Sequence, residues 1–219
     1  MKKITLGTCL ILASASIASA TVVFEFSDTE DGFTSAIPSV SSTDILSGIS
    51  PITQTDNGDG SPPNLGNTTN GVIGAGFGLN SANGPATFSF QFDLGGLFSL
   101  DSVTVFSNGG NGNNGRVEQQ FELFGSALED PTDFDTADFT LIATVDSGAN
   151  SGGDDFGAAN ITNIAGSFRT LLFVSTPPDG NEGTVFREID VTGTAVIPEP
   201  SSTALLGLGF LGLIARRRR

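Results

Sequence analysis

Between Ala86 and Asp93 the chain reads Ala-Thr-Phe-Ser-Phe-Gln-Phe-Asp, so Phe88, Phe90 and Phe92 alternate with Ser89, Gln91 and Asp93. A period of two sends every second side chain to the same face, as a half-buried strand requires. No long segment of the body repeats every 3.6 residues. Further strands are expected at Val22–Phe26, Leu100–Phe106, Arg116–Phe124, Phe139–Val145, Phe168–Val174 and Thr184–Val191. Leu94-Gly95-Gly96, Asn108–Gly115, Glu129–Asp138 and Ser147–Gly157 are the intervening turns and loops. Ser27–Pro63 reads as a polar loop with one short helix or strand. Asn67–Asn80 is glycine-rich, with Val72, Ile73, Phe77 and Leu79 pointing inward. This spacing predicts an all-β fold, an antiparallel β-sandwich over residues 21–193.

Both ends differ from this body. Lys2 and Lys3, the apolar Ile4–Ile17, and Ala18-Ser19-Ala20 have the order of a secretory signal peptide with an A-x-A cleavage site. Residues 1–20 are therefore expected to be a helical leader that signal peptidase removes. Cys9 lies inside it and follows no lipobox. At the other end, residues 194–200 read as a linker closing on Pro198-Glu199-Pro200. Residues 201–219 hold an apolar run, Thr203–Ala215, and then Arg216, Arg217, Arg218 and Arg219. The prolines fix φ and bias Glu199 toward extended backbone, which leaves it open to a processing enzyme. The apolar run is shorter than the roughly 20 residues of a full span. A short hydrophobic helix that associates transiently with the inner membrane is expected, its arginines on the cytoplasmic side.

This tail resembles the PEP-CTERM sorting signal of exported Gram-negative bacterial proteins. The resemblance implies recognition by a membrane-embedded, exosortase-type transpeptidase and cleavage near the Pro-Glu pair. It also implies export across the inner membrane and release to the cell-envelope surface or its polysaccharide matrix.

Composition narrows what the body can do. Only Arg116, Arg169 and Arg187 lie between Thr21 and Glu199, against all 24 acidic residues. Such a body is repelled by nucleic acid and by anionic lipid, and it suits divalent cations. It has no His, Cys, Lys, Tyr or Trp. That excludes Ser-His-Asp, Cys-His and Ser-Lys catalysis, and zinc or haem ligation through His or Cys. The remaining enzymatic route is a carboxylate pair, as in glycoside hydrolysis. Asp154-Asp155 and Asp133-x-Asp135 fit solvated loop charge better. Asp56–Gly60 lacks the EF-hand spacing, and Gly109–Asn114 lacks the second copy of a nonapeptide calcium repeat. Asn67-Thr68-Thr69 and Asn160-Ile161-Thr162 match a glycosylation sequon. The three arginines read as structural ion pairs.

Three pieces of the body resemble a discoidin-like, galactose-binding-like jelly roll of the coagulation factor type C kind. They are Phe90-Gln91-Phe92-Asp93-Leu94-Gly95, Phe121–Ser126, and Phe186–Gly193 with its Glu188-Ile189-Asp190-Val191 core, supported by Phe168–Val174. The resemblance implies a non-catalytic domain that binds carbohydrate, with exopolysaccharide as the partner. It further implies a structural calcium between the Asn67–Val72 loop and the closing strand, with Asn70 and Glu188 as ligands. Asn70 stands where the family has Asp, which lowers the ligand charge. The chain also lacks the Trp or Tyr on which family members stack sugars. The alternative is a purely structural surface protein with no small ligand, followed by a carboxylate-dependent glycoside hydrolase or lyase.

Overall fold

The computed structural model describes residues 19–54, 68–73, 79–80, 87–109, 114–128, 134–149, 153–176 and 184–197. Its strands are β1 (Thr21–Ser27), β2 (Ile52–Gln54), β3 (Leu79–Asn80), β4 (Phe88–Asn108), β5 (Gln120–Ser126), β6 (Thr140–Asp146), β7 (Phe156–Thr162), β8 (Ser167–Ser175) and β9 (Val185–Ala195). Every ladder is antiparallel. The expected leader and C-terminal helices, with Ala18, Pro198, Glu199, Pro200 and Arg216–Arg219, lie outside the described residues. Among the described residues no helix is long and apolar enough to cross a membrane.

The hydrogen bonds form one continuous network, and β4 folds it into a sandwich. Phe88–Asp93 pairs with β8, and Ser89–Gln91 with β2. Ser102–Asn108 pairs with β7, and the same half of β4 pairs with β9. Sheet A is thus β1-β7-β4-β9-β3, and sheet B is β2-β4-β8-β5-β6. The expected Leu94-Gly95-Gly96 turn between two strands is instead a bend inside β4, where the register with β8 breaks between Asp93 and Phe98. Gly95 has a φ of 75° and donates its N–H to Asp93 Oδ1 at 2.9 Å. A local kink suffices because the chain changes sheets rather than direction.

The inner faces meet in a phenylalanine core. Phe90 stacks on Phe173 of β8 at 4.8 Å and meets Phe186 of β9 edge-on at 5.3 Å. Phe186 also contacts Phe121 of β5 at 5.9 Å, so rings from both sheets interlock. Leu123, Val145 and Leu171 face Val103, Val105, Ile161, Ile189 and Val191 in the same cluster.

The strand β7 is not among the strands expected from the sequence; only its first two residues, Phe156 and Gly157, fall in the expected Ser147–Gly157 loop. Its residues Gly157, Ala158, Ala159 and Asn160 carry little strand propensity. It is nonetheless paired on both edges, by β1 and β4. Small residues are needed there: a Cβ on Gly157 would lie 2.5 Å from the Val117 carbonyl oxygen. Arg116 belongs to a short 3-10 turn, and β5 begins only at Gln120. The strand β9 runs to Ala195, past the start of the expected linker, and Val196 donates its N–H to the Leu97 carbonyl. Gly193 allows this close pairing, because a Cβ there would sit 2.4 Å from the Ser99 carbonyl oxygen.

A long strap, residues 28–51, connects β1 to β2 and covers the outer face of sheet A. Ile37 of the strap packs on Phe106 and Ala158 with Ile73, forming a second, smaller core. Glu25 of β1 holds the strap by accepting from the Thr34 N–H and hydroxyl. Asn160 donates to the Ala36 carbonyl at 2.8 Å.

Candidate metal centre

The strand β9 alternates strictly near its middle. Ile189 and Val191 enter the inner core, so Glu188 and Asp190 must point to the outer face of sheet A. There they do not reach water: Glu188 is 0% exposed and Asp190 4%. The strap and the 68–73 loop lie over them. Ser41 donates its N–H to Asp190 Oδ2 at 2.8 Å, and Ile45 donates to the Val191 carbonyl at 2.9 Å. Asp44 sits between, with Oδ1 accepting from Leu46 at 2.7 Å and from Val191 at 3.2 Å. Gly48 and Thr69 join the two covering segments through the Gly48 N–H and the Thr69 carbonyl.

Asp44, Glu188 and Asp190 each offer one carboxylate oxygen, and the three lie within 4.8 Å of one another. Each carboxylate also keeps one oxygen without a hydrogen-bond partner: Asp44 Oδ2, Glu188 Oε1 and Asp190 Oδ1. Unpaired buried carboxylate oxygens are costly, and three together are more so. The ionisation behaviour follows. Burial first, and then the charge of Asp190, push the Glu188 carboxyl up to about 8, against the pull of the Asn70, Gly71 and Val72 N–H groups. Burial and the nearby Asp44 push Asp190 up to about 7, with the Ser41 N–H acting against them. Without a counter-charge these groups resist ionising; a cation among them would reverse that. The donor set is all oxygen and fits a hard divalent cation such as calcium or magnesium.

Asn70 and Glu188 do come together, through the Asn70 main chain. The Asn70 N–H donates to Glu188 Oε2 at 3.1 Å, while its side-chain Oδ1 accepts from the Val72 N–H at 3.0 Å. The loop makes this turn with Gly71 at a φ of 77°, pressed against Ser42. Sequence reasoning missed Asp44 and Asp190. The signal for Asp190 was its position two residues after Glu188 on a strand. Asp44 stood in a polar stretch with no periodicity.

Other candidate residues fall elsewhere. Arg169 pairs with Asp93, its Nε 3.0 Å from Oδ1, which holds the Asp93 carboxyl below the usual carboxylate range. Arg187 is buried, and burial lowers its pKa. Asp135 caps the short turn at Thr136–Asp138 through the Ala137 N–H. Asp154 is half-buried just before β7. Asn160 is built into β7, accepting from the Thr104 hydroxyl at 3.2 Å, as a structural rather than an exposed amide. Ala20 packs at the rim of the inner core.

The C-terminal residues 196–219 match the PEP-CTERM protein-sorting motif. The chain carries that motif, which implies an exported protein placed at the surface or outside the cell. No curated protein matches the chain. Among solved structures it is similar to the C-terminal domain of a chitobiase from Bacteroides fragilis, at 20% identity over 68% of this chain and 94% of that one, with a TM-score of 0.45. It is also similar to chitosan-binding module 1 of a chitosanase/glucanase from Paenibacillus sp. IK-5, at 14% identity over 68% and 98%, with a TM-score of 0.49. A CBM32 module of a family 31 glycoside hydrolase from Clostridium perfringens gives 17% identity over 68% and 92%, with a TM-score of 0.47. The sandwich assignment rests on this chain's own strand pairing.

Proposed function

We propose that the chain is a non-catalytic protein of the cell-envelope surface or extracellular matrix, sorted through its tail, whose sandwich binds carbohydrate and holds one structural calcium. The observation that carries the reading is the sorting motif at residues 196–219. It begins one residue after β9 ends at Ala195. An exosortase-type transpeptidase acting near Pro198-Glu199-Pro200 would therefore free the body with its last strand whole. Signal peptidase acting after Ala20 would likewise leave β1 intact, since it starts at Thr21.

Asp44, Glu188 and Asp190 are the residues that would hold the calcium. The bound ion supplies positive charge to three carboxylates that lack it. The Asn70 and Ser41 N–H groups orient Glu188 and Asp190, and the Leu46 and Val191 N–H groups orient Asp44. A catalytic role for these acids is disfavoured by their place: Glu188 and Asp190 are buried under the strap, not set in an open cleft.

The test is a chain in which Pro198, Glu199 and Pro200 are all replaced by Ala, expressed in an exporting host that has an exosortase. The variant is expected to stay with the membrane while the natural chain is released. Equal release of both would contradict the sorting reading. Retention of the released protein on matrix polysaccharide columns tests the binding part; failure on every glycan, with and without calcium, would leave the purely structural alternative.

A further inference from the structure

A cavity of about 240 Å³ opens between the strap and the outer face of sheet A, away from the three carboxylates of the metal centre. Its floor is apolar: Phe106 from β4, and Phe33, Ile37 and Val40 from the strap. These side chains belong to the second core, so the floor is fixed by packing. Phe33 is only half-buried, its ring tilted against Phe106 at 6.1 Å. Its rim carries Glu30 and Asp31, both exposed.

The rim is built, not incidental. Glu30 and Asp31 are the two central residues of a tight turn closed by the Gly32 N–H on the Thr29 carbonyl at 3.1 Å. Ser27 braces that turn, its hydroxyl donating to the Thr29 carbonyl at 2.7 Å and accepting from the Thr29 N–H at 3.1 Å. Gly32 has no room for a side chain, because a Cβ there would collide with the Ser27 hydroxyl. Neither acid makes a hydrogen bond or ion pair with any described residue. None of the three body arginines lines the cavity. More negative charge stands at the same end of sheet A, where Ser27 pairs with Phe156. There burial, and then the charge of Asp28, raise the pKa of Asp154.

Resting on the carbohydrate-binding reading above, we infer that this cavity binds an amino sugar, with its ammonium at Glu30 and Asp31 and its ring against Phe33. The charge complementarity decides the class. Two carboxylates on a strongly acidic protein repel uronates and sulfated sugars and draw an ammonium into charge-assisted hydrogen bonds. A phenylalanine face adds cation–π attraction and packs the C–H face of a pyranose. The volume holds a single sugar ring, being smaller than the roughly 300 Å³ and above of drug-sized pockets.

The experiment titrates the full chain with glucosamine, N-acetylglucosamine and glucose at pH 6, followed by calorimetry or ligand-detected NMR. Glucosamine is expected to bind about tenfold or more tighter than either neutral sugar, since a charge-assisted bond separates them. The double variant Glu30→Gln with Asp31→Asn should lose that preference, and Phe33→Ala should weaken all three sugars. Added salt should weaken glucosamine alone. Equal affinity for the three sugars, an unchanged double variant, or no binding of glucosamine would overturn the inference. Retention of the double variant on a neutral matrix polysaccharide, with no glucosamine preference in the natural chain, would remove this cavity and keep the carbohydrate reading.

Discussion

The two faces of β9 are both buried, yet by opposite chemistry. Inward, Phe186, Ile189 and Val191 join a core of interlocked rings and branched aliphatics. Outward, Glu188 and Asp190 lie equally dry beside Asp44, with one oxygen of each acid unpaired. The inner face is complete as it stands: it carries no titrating group, so its apolar burial stabilises equally with or without calcium and at any pH. The outer face is complete only when something positive joins it. One strand therefore separates a part of the fold that is independent of pH and calcium from a part that depends on them.

The largest effect should come from the inner face. Phe90→Ala removes the ring that touches Phe88, Phe92, Phe173 and Phe186. It should cost about 3–5 kcal/mol, a fall in Tm of roughly 6–20 °C for a domain of this size. Thermal melting with and without calcium should show the same loss. A loss that calcium alters would break the division between the faces.

The outer face should answer to calcium and to pH. In chelator, the raised carboxyls of Glu188 and Asp190 bind protons more tightly folded than unfolded. Their contribution is thus fully present below the ordinary carboxylate range and is lost as pH rises through about 7 to about 8. Melting of the chelated protein should show stability falling as pH rises from about 4, the ordinary carboxylate value, and levelling off above about 8. Saturating calcium should oppose the fall, adding about 2.7 kcal/mol at a hundredfold excess over Kd. A flat profile in chelator would contradict the burial of charge on this face.

Gly71 should matter less. Its φ of 77° and its contact with Ser42 both oppose a side chain. Gly71→Ala should cost about 1–2 kcal/mol for the left-handed backbone, plus a loss of calcium affinity, because Asn70 would no longer aim its N–H at Glu188. Smallest of all should be Asp93→Asn. It weakens a partly exposed pair with Arg169, which is worth about 0.2–1 kcal/mol, and equilibrium unfolding should register little.

Much of the inner face was legible in the sequence. The alternation of Phe88, Phe90 and Phe92, and of Phe121 and Leu123, named the strands and the side of each that is buried. The outer face was legible only at Glu188 and Asn70, through family resemblance. The sequence could not show that a polar strap returns over sheet A, because Asp44, Ser41 and Asn160 act through contacts distant in the chain. The strand β7 was hidden for a related reason. Covered on both faces and crowded by Val117 and the strap, it needs Gly157, Ala158 and Ala159, whose small side chains carry no period. The bend in β4 was misread because Gly95 signals a turn without saying whether the chain reverses or only changes sheets.

The most direct measurement is calcium binding by the full chain and by Glu188→Gln, with melting followed alongside. The natural chain should bind one calcium ion and melt higher when it does. Glu188→Gln should lose the ion, and it should melt higher than the natural chain in chelator, because its amide can donate to a neighbouring carboxylate. No calcium bound by the natural chain, with the same Tm in calcium and in chelator, would show that protons rather than a metal complete the outer face.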